Sequence, residues 1–331
     1  VGLGQLESDR MSDRTNLICD LSNMFIRAWS AYPSMSVRTG TQIGGVVGTL
    51  KTLGRLAREL GPKQIYVVWE SGGSAQRRKI FPEYKLGRRP EKLNRFYEDD
   101  IPDTDENRRH QMLVLVTAMK CLPVCQLYVP DCEADDVIAY LCKSRLKDEN
   151  KVIVSNDRDM YQFLDEKTTI YNLHKKSIVT EYHVLDEFRI LSSNFALAKC
   201  IIGDPSDNIP GIKGVGYKTL VKNIPLVSAE RDVHLSDVIA FCEAHRDENK
   251  VCRKIAESSE ILKRNWKLIY LDASTLSSHQ AQKVEGRIDS FVPRVDRHEL
   301  MKLLNKEGIV DVDVAGLVYS LNCIEGLGGE H

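Results

Sequence analysis

The chain has 331 residues, 42% of them hydrophobic, enough for one large α/β domain and a smaller unit. A formal net charge of −1 excludes the overall basic balance typical of nucleic-acid binders, so a DNA partner requires segregated charge. The 9 scattered cysteines, the lack of a run long and apolar enough to span a bilayer and the lack of a signal-peptide pattern predict a reduced, cytoplasmic protein with no membrane partner.

Residues 1–10 are polar, precede Met11 and are expected to be a disordered extension. Asn16–Asp20 (NLICD) is a short apolar run ending in an acid, the pattern of a buried parallel strand with Asp20 at its carboxyl end. Such an Asp can simply cap Leu21–Trp29, but ligands of open α/β sheets bind beyond strand carboxyl ends. Ile43–Leu60 has apolar residues at helical spacing and stops at Gly61-Pro62. Gln64–Trp69 (QIYVVW) reads as a second buried strand, and Glu70 follows it.

A basic run answers the charge question. Arg77, Arg78, Lys79, Lys85, Arg88, Arg89, Lys92 and Arg95 face only Glu83 and Glu91, and Phe81, Tyr84, Phe96 and Tyr97 lie among them. A solvated basic loop is the plain reading of a charge run. Bases interleaved with aromatics also suit single-stranded nucleic acid, through backbone charge and base stacking. The acidic patch Glu98–Glu106 follows and reads as solvated.

Asn107–Leu122 is a predicted helix and Val124–Val129 the third strand. Cys121, Cys125 and Cys132 have no partner pair at zinc spacing and read as buried thiols. Asp131, Glu133, Asp135 and Asp136 then crowd a helix start. Capping accounts for one acid there; the rest repel one another unless a cation binds. Lys151–Ser155 is the fourth strand, with Asp157 and Asp159 just past it. Thr168–Tyr171 and Ser177–Thr180 read as short strands, Glu181–Arg189 and Asn194–Ile202 as helices.

Ile201–Leu220 (IIGDPSDNIPGIKGVGYKTL) sets two features side by side. Asp204 and Asp207, three apart, share a face if helical, and paired carboxylates suit a hard cation such as Mg²⁺ or Mn²⁺. Gly211, Gly214 and Gly216 punctuate a turn opening into a helix, where backbone N–H groups can seat phosphate. Beyond Pro225 the pattern says less. Ser228–Lys250 reads as helical, Ile261–Asp272 as an amphipathic helix or strand packed on the core, and Arg294–Leu304 as a helix.

The unbroken GD-x-x-DN-x-PG-x-x-G-x-G of residues 203–216 resembles the signature of the 5′-nuclease family, which includes phage flap endonucleases and the 5′→3′ exonuclease domain of bacterial DNA polymerase I. Glu133-Ala134-Asp135-Asp136 matches that family's Glu-x-Asp-Asp, Asp157 and Asp159 match its next acids, and Pro82-Glu83-Tyr84-Lys85-x-x-Arg88 resembles its arch. Where the family has Phe-Asp, this chain has Trp69-Glu70. The resemblance covers about residues 16 to 226. No polymerase-like extension follows, and the size resembles the free-standing phage enzymes.

The resemblance implies an α/β fold with a PIN-like, mainly parallel sheet flanked by helices. Residues 11–185 would form the N-terminal domain, with a helical arch at about 77–110. Residues 186–331 would form a helix–three-turn–helix C-terminal domain. It implies a nuclease that hydrolyses 5′ ends or flaps of DNA, or an RNA primer strand paired to DNA, as a monomer in a bacterial or phage-infected cytoplasm. Two or more Mg²⁺ or Mn²⁺ ions are implied: Asp20, Glu70, Glu133, Asp135 and Asp136 at the first site, Asp157, Asp159, Asp204 and Asp207 at the second. Lys85 and Arg88 would neutralise the scissile phosphate, and Tyr84 would stack on a base. Arg78, Arg89, Lys213, Lys218 and the three turn glycines would hold DNA, with K⁺ bridging at the turn. Two other readings stay open: a non-catalytic DNA binder of the same fold, and a PIN-type ribonuclease, which usually lacks the glycine turn and basic arch.

Overall fold

The computed structural model describes residues 15–86, 105–229 and 231–327. Six strands form one sheet: β1 (Asn16–Asp20), β2 (Gln64–Val68), β3 (Cys125–Leu127), β4 (Lys151–Val154), β5 (Thr168–Asn172) and β6 (Ser177–Val179), in the order β3-β2-β1-β4-β5-β6. The first five run parallel, and β6 pairs antiparallel with β5. All six expected strands are present, with ends moved by one or two residues.

The central strands are apolar throughout because both faces are covered. Leu17, Cys19, Ile65 and Val67 point into one apolar layer, and Ile18, Tyr66 and Val68 into the other. Parallel pairing demands crossovers, supplied by the helices Gly44–Leu60, Asp105–Lys120 and Ala134–Tyr140. Gly61 ends the first of them in the left-handed region, at φ 51°. Chain order along the sheet reverses between β1 and β4, so the crevice beyond their carboxyl ends is the expected seat for a ligand.

Helices Glu181–Phe188 and Phe195–Ile202 lead into the small ribbon β7 (Gly203–Asp204) and β8 (Ile209–Pro210), then the helix Tyr217–Asn223. The helical stretch expected over Ser228–Lys250 is broken: Leu235–Ala244 ends before Asn249, whose side chain accepts from Val251 N–H at 2.8 Å and starts Lys250–Glu257. Of the segment 261–272, the part up to Ile269 is helical within Ser259–Ile269, and the chain leaves the helix at Tyr270. A boundary near residue 185 does not divide the core. One apolar layer runs from Ile18 to Val284, and Leu300, Leu304, Leu317 and Leu321 return to pack with Leu53 on the other face. Among the described residues, no helix is long and apolar enough to cross a membrane.

Candidate functional site

Acids from the strand ends converge beyond the carboxyl edge of the sheet. Asp20 closes β1, accepts from Asn23 N–H at 3.0 Å and, through its second oxygen, from Ser155 Oγ at 3.1 Å. Burial raises its pKa to about 6, and the charges of Asp157 and Glu70 add to the rise. Asp135 is pushed well above the usual carboxylate range by burial, then by Asp157 and Asp20. Burial followed by Asp157 also raises Asp159 to about 7, against the pull of Lys199. Asp157, expected at the second metal side only, thus adds to the raised pKa of Asp20 and Asp135 as well as of Asp159.

The second group is Asp159, Asp204 and Asp207, which bring one carboxylate oxygen each within 4.8 Å of one another. No α-helical turn unites Asp204 and Asp207. Asp204 ends β7 and caps the tight 3₁₀ turn Pro205–Asp207, accepting from Ser206 N–H at 2.9 Å. Asn208, in the left-handed region at φ 59°, then reverses the chain into β8.

Three buried or half-buried cations face these acids. Lys199 pairs with Asp159 and, at 2.7 Å, with Asp204. Burial disfavours both charges, but Lys199 and the Ser206 hydrogen bonds outweigh it and hold Asp204 below its ordinary pKa. Lys85 Nζ lies 2.9 Å from Glu133 and 3.7 Å from Asp207, and its backbone N–H donates to the Asp207 carbonyl at 2.9 Å. Arg77 donates to both oxygens of Asp136, at 2.6 and 3.0 Å, and to Glu133 at 2.8 Å.

These contacts give several of the expected site residues partners within the protein. Arg77, expected in an exposed basic arch, is 3% exposed and also donates through Nε to the Leu268 carbonyl. Asp136, expected to ligate metal, has its oxygens taken by Arg77 and by Glu133 N–H at 3.0 Å. Glu133, expected likewise, accepts from Arg77, Tyr84 and Lys85. Burial opposes its ionisation, yet Lys85 and Arg77 keep its pKa low. Tyr84, expected to stack on a base, is 6% exposed, and its hydroxyl donates to Glu133 at 2.8 Å. Glu70 folds onto its own loop: one oxygen accepts from Ser71 and Gly73 N–H at 3.0 Å each, the other from Ala134 N–H at 3.4 Å. Lys85 has φ 55°, so Pro82–Leu86 is a turn and not the start of a helix carrying Lys85 and Arg88 on one face. Arg88 and Arg89 lie outside the described residues, and Arg78 is exposed, donating to the Gly72 carbonyl.

The glycine turn adjoins the ribbon that carries Asp204, and Ile212 N–H donates to the Ile201 carbonyl at 2.8 Å. Gly211 is required by close approach, since a Cβ there would sit 1.7 Å from the Ile202 carbonyl oxygen. Gly214 is left-handed at φ 82°. Gly216 is extended at φ −108° with nothing within 4 Å of a Cβ, so the fold itself does not demand glycine there. Lys213 and Lys218 are exposed beside it.

Sequence reasoning passed over Lys199 and Asn265. Lys199 is the lone charge in the apolar FALAKCII, five residues before Asp204, a signal that was readable. Asn265, fully buried on Ser259–Ile269, donates to the Cys200 carbonyl at 3.0 Å and the Pro210 carbonyl at 2.8 Å, tying the helix before Asp204 to the glycine turn.

Nine carboxylates (the eight aspartates and glutamates named above with Asp157) thus face three cations, Arg77, Lys85 and Lys199. The imbalance falls on Asp20, Asp135 and Asp159, the acids whose pKa values are raised. All-oxygen donors with an excess of negative charge fit hard divalent cations.

The family model of the 5′-3′ exonuclease, N-terminal resolvase-like domain, matches residues 15–189. The thermostable DNA polymerase I of Thermus thermophilus is 29% identical over 208 residues, 62% of this chain and 23% of that protein. A 5′-3′ exonuclease of Aquifex aeolicus is 29% identical over 209 residues, 63% of this chain and 68% of that protein. The chain thus spans about a quarter of the length of the polymerase relatives it matches. In fold it is similar to the bacteriophage T5 flap endonuclease solved as a pseudo-enzyme-product complex with DNA and metal ions, with TM-score 0.61 and 20% identity over 92% of this chain and 100% of that one.

Proposed function

We propose, from the premise that this chain belongs to the family of the 5′-3′ exonuclease, N-terminal resolvase-like domain, that it is a metal-dependent 5′-nuclease hydrolysing phosphodiester bonds at 5′ ends or flaps of DNA. The observation that carries the reading is the trio Asp159, Asp204 and Asp207, within 4.8 Å of one another beside acids of raised pKa. Asp159, Asp204 and Asp207 hold one cation. Asp20, Asp135 and Asp157, with Glu70 beside them, would hold another. Mg²⁺ or Mn²⁺, when bound, neutralises phosphate charge and makes a water more acidic.

The chain's own groups do the rest. Lys85, whose side chain is 24% exposed, donates to the scissile phosphate from the mouth of the acid cluster. Arg77 holds Glu133 and Asp136 in place and leaves the remaining acids to the cations. Asn265 fixes the Asp204 segment against the glycine turn, which with Lys213, Lys218 and a K⁺ ion grips duplex backbone as a helix–three-turn–helix. Arg78, Arg88 and Arg89 steer the single strand. The nine free cysteines suit action in a cytoplasm. The protein acts as a monomer and accepts an RNA strand paired to DNA as well.

Incubation of the purified chain with a 5′-labelled flap and Mg²⁺ tests this. Short labelled products that vanish with EDTA are expected. Tight flap binding without cleavage favours the binder of the same fold, and preference for unpaired RNA favours a ribonuclease.

A further inference from the structure

At the other end of the parallel strands, next to edge strand β3, an open groove of about 460 Å³ separates the end of the helix Asp105–Lys120 from the segment after Ser278–Asp289. Its floor is apolar: Leu122 and Val124 are buried beneath it. Phe291 and Val292 form a wall, and Val292 is 72% exposed, a side chain that water does not favour. Its rim carries Lys120, Arg287 and Arg294, all exposed.

Among the described residues, three cations and no carboxylate line this groove. The acids close by in sequence have partners of their own, including Asp296, beside Cys121, and Glu299, which pairs with Lys302 at 3.3 Å. Glu285 and Asp289 pair with Arg145 at 2.8 Å each, and Asp296 accepts from Glu299 N–H at 2.9 Å as a helix cap. In a chain of net charge −1, this is a local segregation of positive charge around apolar surface. Nucleic-acid backbone would use the charge and leave the apolar floor idle. Addition of a strand to β3 is blocked at Gln126, whose carbonyl already accepts from Arg287 Nε at 3.2 Å. The occupant must be read through side chains, with acids for the rim and an apolar anchor for the floor.

We infer that this groove docks an acidic peptide segment of a partner protein, one with a bulky apolar side chain seated between Val124 and Phe291 and carboxylates facing Lys120, Arg287 and Arg294. Rim charges set the encounter rate and its salt dependence, and the buried anchor sets the lifetime. Because the carboxylate cluster lies at the opposite ends of the strands, the docked enzyme keeps its nuclease site open. This goes beyond the nuclease reading and does not depend on it.

The test is fluorescence anisotropy with a labelled octapeptide of aspartates around one leucine and one phenylalanine, titrated with the full chain. Saturable binding that weakens with salt is expected. Arg294→Glu, Arg287→Glu and Val292→Asp should each weaken it about tenfold, as should serines in place of the probe's leucine and phenylalanine. Unfolding of a variant is excluded by an unchanged circular dichroism spectrum and an unchanged melting temperature. No binding, equal binding by all three variants, or displacement of the probe by duplex DNA overturns the proposal, the last because it places the peptide on the glycine turn.

Discussion

Lys199 Nζ sits 2.7 Å from the carboxylate of Asp204 and pairs with Asp159 as well, so a buried ammonium stands among acids gathered from two segments of the chain. Removing it leaves those charges uncompensated, a loss of about 3–5 kcal/mol for a buried pair. Lys199→Met is expected to lower the melting temperature by about 5 °C or more in EDTA, and far less in Mg²⁺. Differential scanning fluorimetry in the two buffers reads this. An equal drop in both would mean that Lys199 neutralises acids that no cation reaches.

The raised acids predict a pH effect. Asp20 and Asp159 keep protons in the folded state up to about 6 and about 7, well above an ordinary Asp. Their contribution to stability is complete below the unfolded pKa near 4 and is lost as pH rises through 6 and 7. Glu133 and Asp204, whose pKa values are lowered, act oppositely and cost stability only on acidification. The metal-free protein should therefore melt lower at pH 7.5 than at pH 5.5, by about 3 °C or more, and Mg²⁺ should remove the difference. A metal-free melting temperature that rises over this interval counts against the charge excess.

Asp204 and Glu70 should part company. Asp204 lies in the tight aspartate trio, while Glu70 is held by backbone N–H groups of its own loop. Asp204→Ala and Asp157→Ala should abolish flap cleavage and leave DNA affinity equal or higher, because negative charge near phosphate is removed. Glu70→Ala should retain activity with a higher Mg²⁺ requirement. A dead Glu70→Ala enzyme would show direct ligation, and active Asp204→Ala and Asp157→Ala enzymes would remove the proposed metal assignment.

Lys85 reaches the acids from a left-handed turn, not from a helix face. A positioned donor at a charged transition state contributes about 10²–10³ in rate. Lys85→Ala should cut single-turnover cleavage by about that order at saturating enzyme, whatever the salt. If saturation restores the rate and moderate salt erases the defect, Lys85 recruits substrate only.

The turn glycines differ in what they require. Gly211→Ala places a Cβ against the Ile202 carbonyl and should unfold or displace the Asp204 segment, seen as lost stability. Gly216→Ala meets open space and should fold normally. Weaker duplex binding by Gly216→Ala would then report close approach of DNA backbone at that point; unchanged affinity would place the duplex elsewhere.

By itself the sequence determined the sheet and the supply of acids. Strand and helix periods are local, so β1, β2 and β4 could be read from NLICD, QIYVV and KVIV, and the places of Asp20, Glu70 and Asp157 at or just past those strand ends follow from chain continuity. Tertiary structure alone decided which acid meets which cation. Arg77 and Asp136 are 59 residues apart, Lys85 and Glu133 48, Lys199 and Asp159 40. In one dimension Arg77 is one more base in a basic run and Asp136 one more acid at a helix start. Only when the crossover helices bring these segments together does burial remove water, making each charge bind the opposite charge within reach. That pairing engages Glu133 and Asp136 with Arg77 and Lys85 and leaves the unbalanced charge on Asp20, Asp135 and Asp159, the acids whose pKa values are raised.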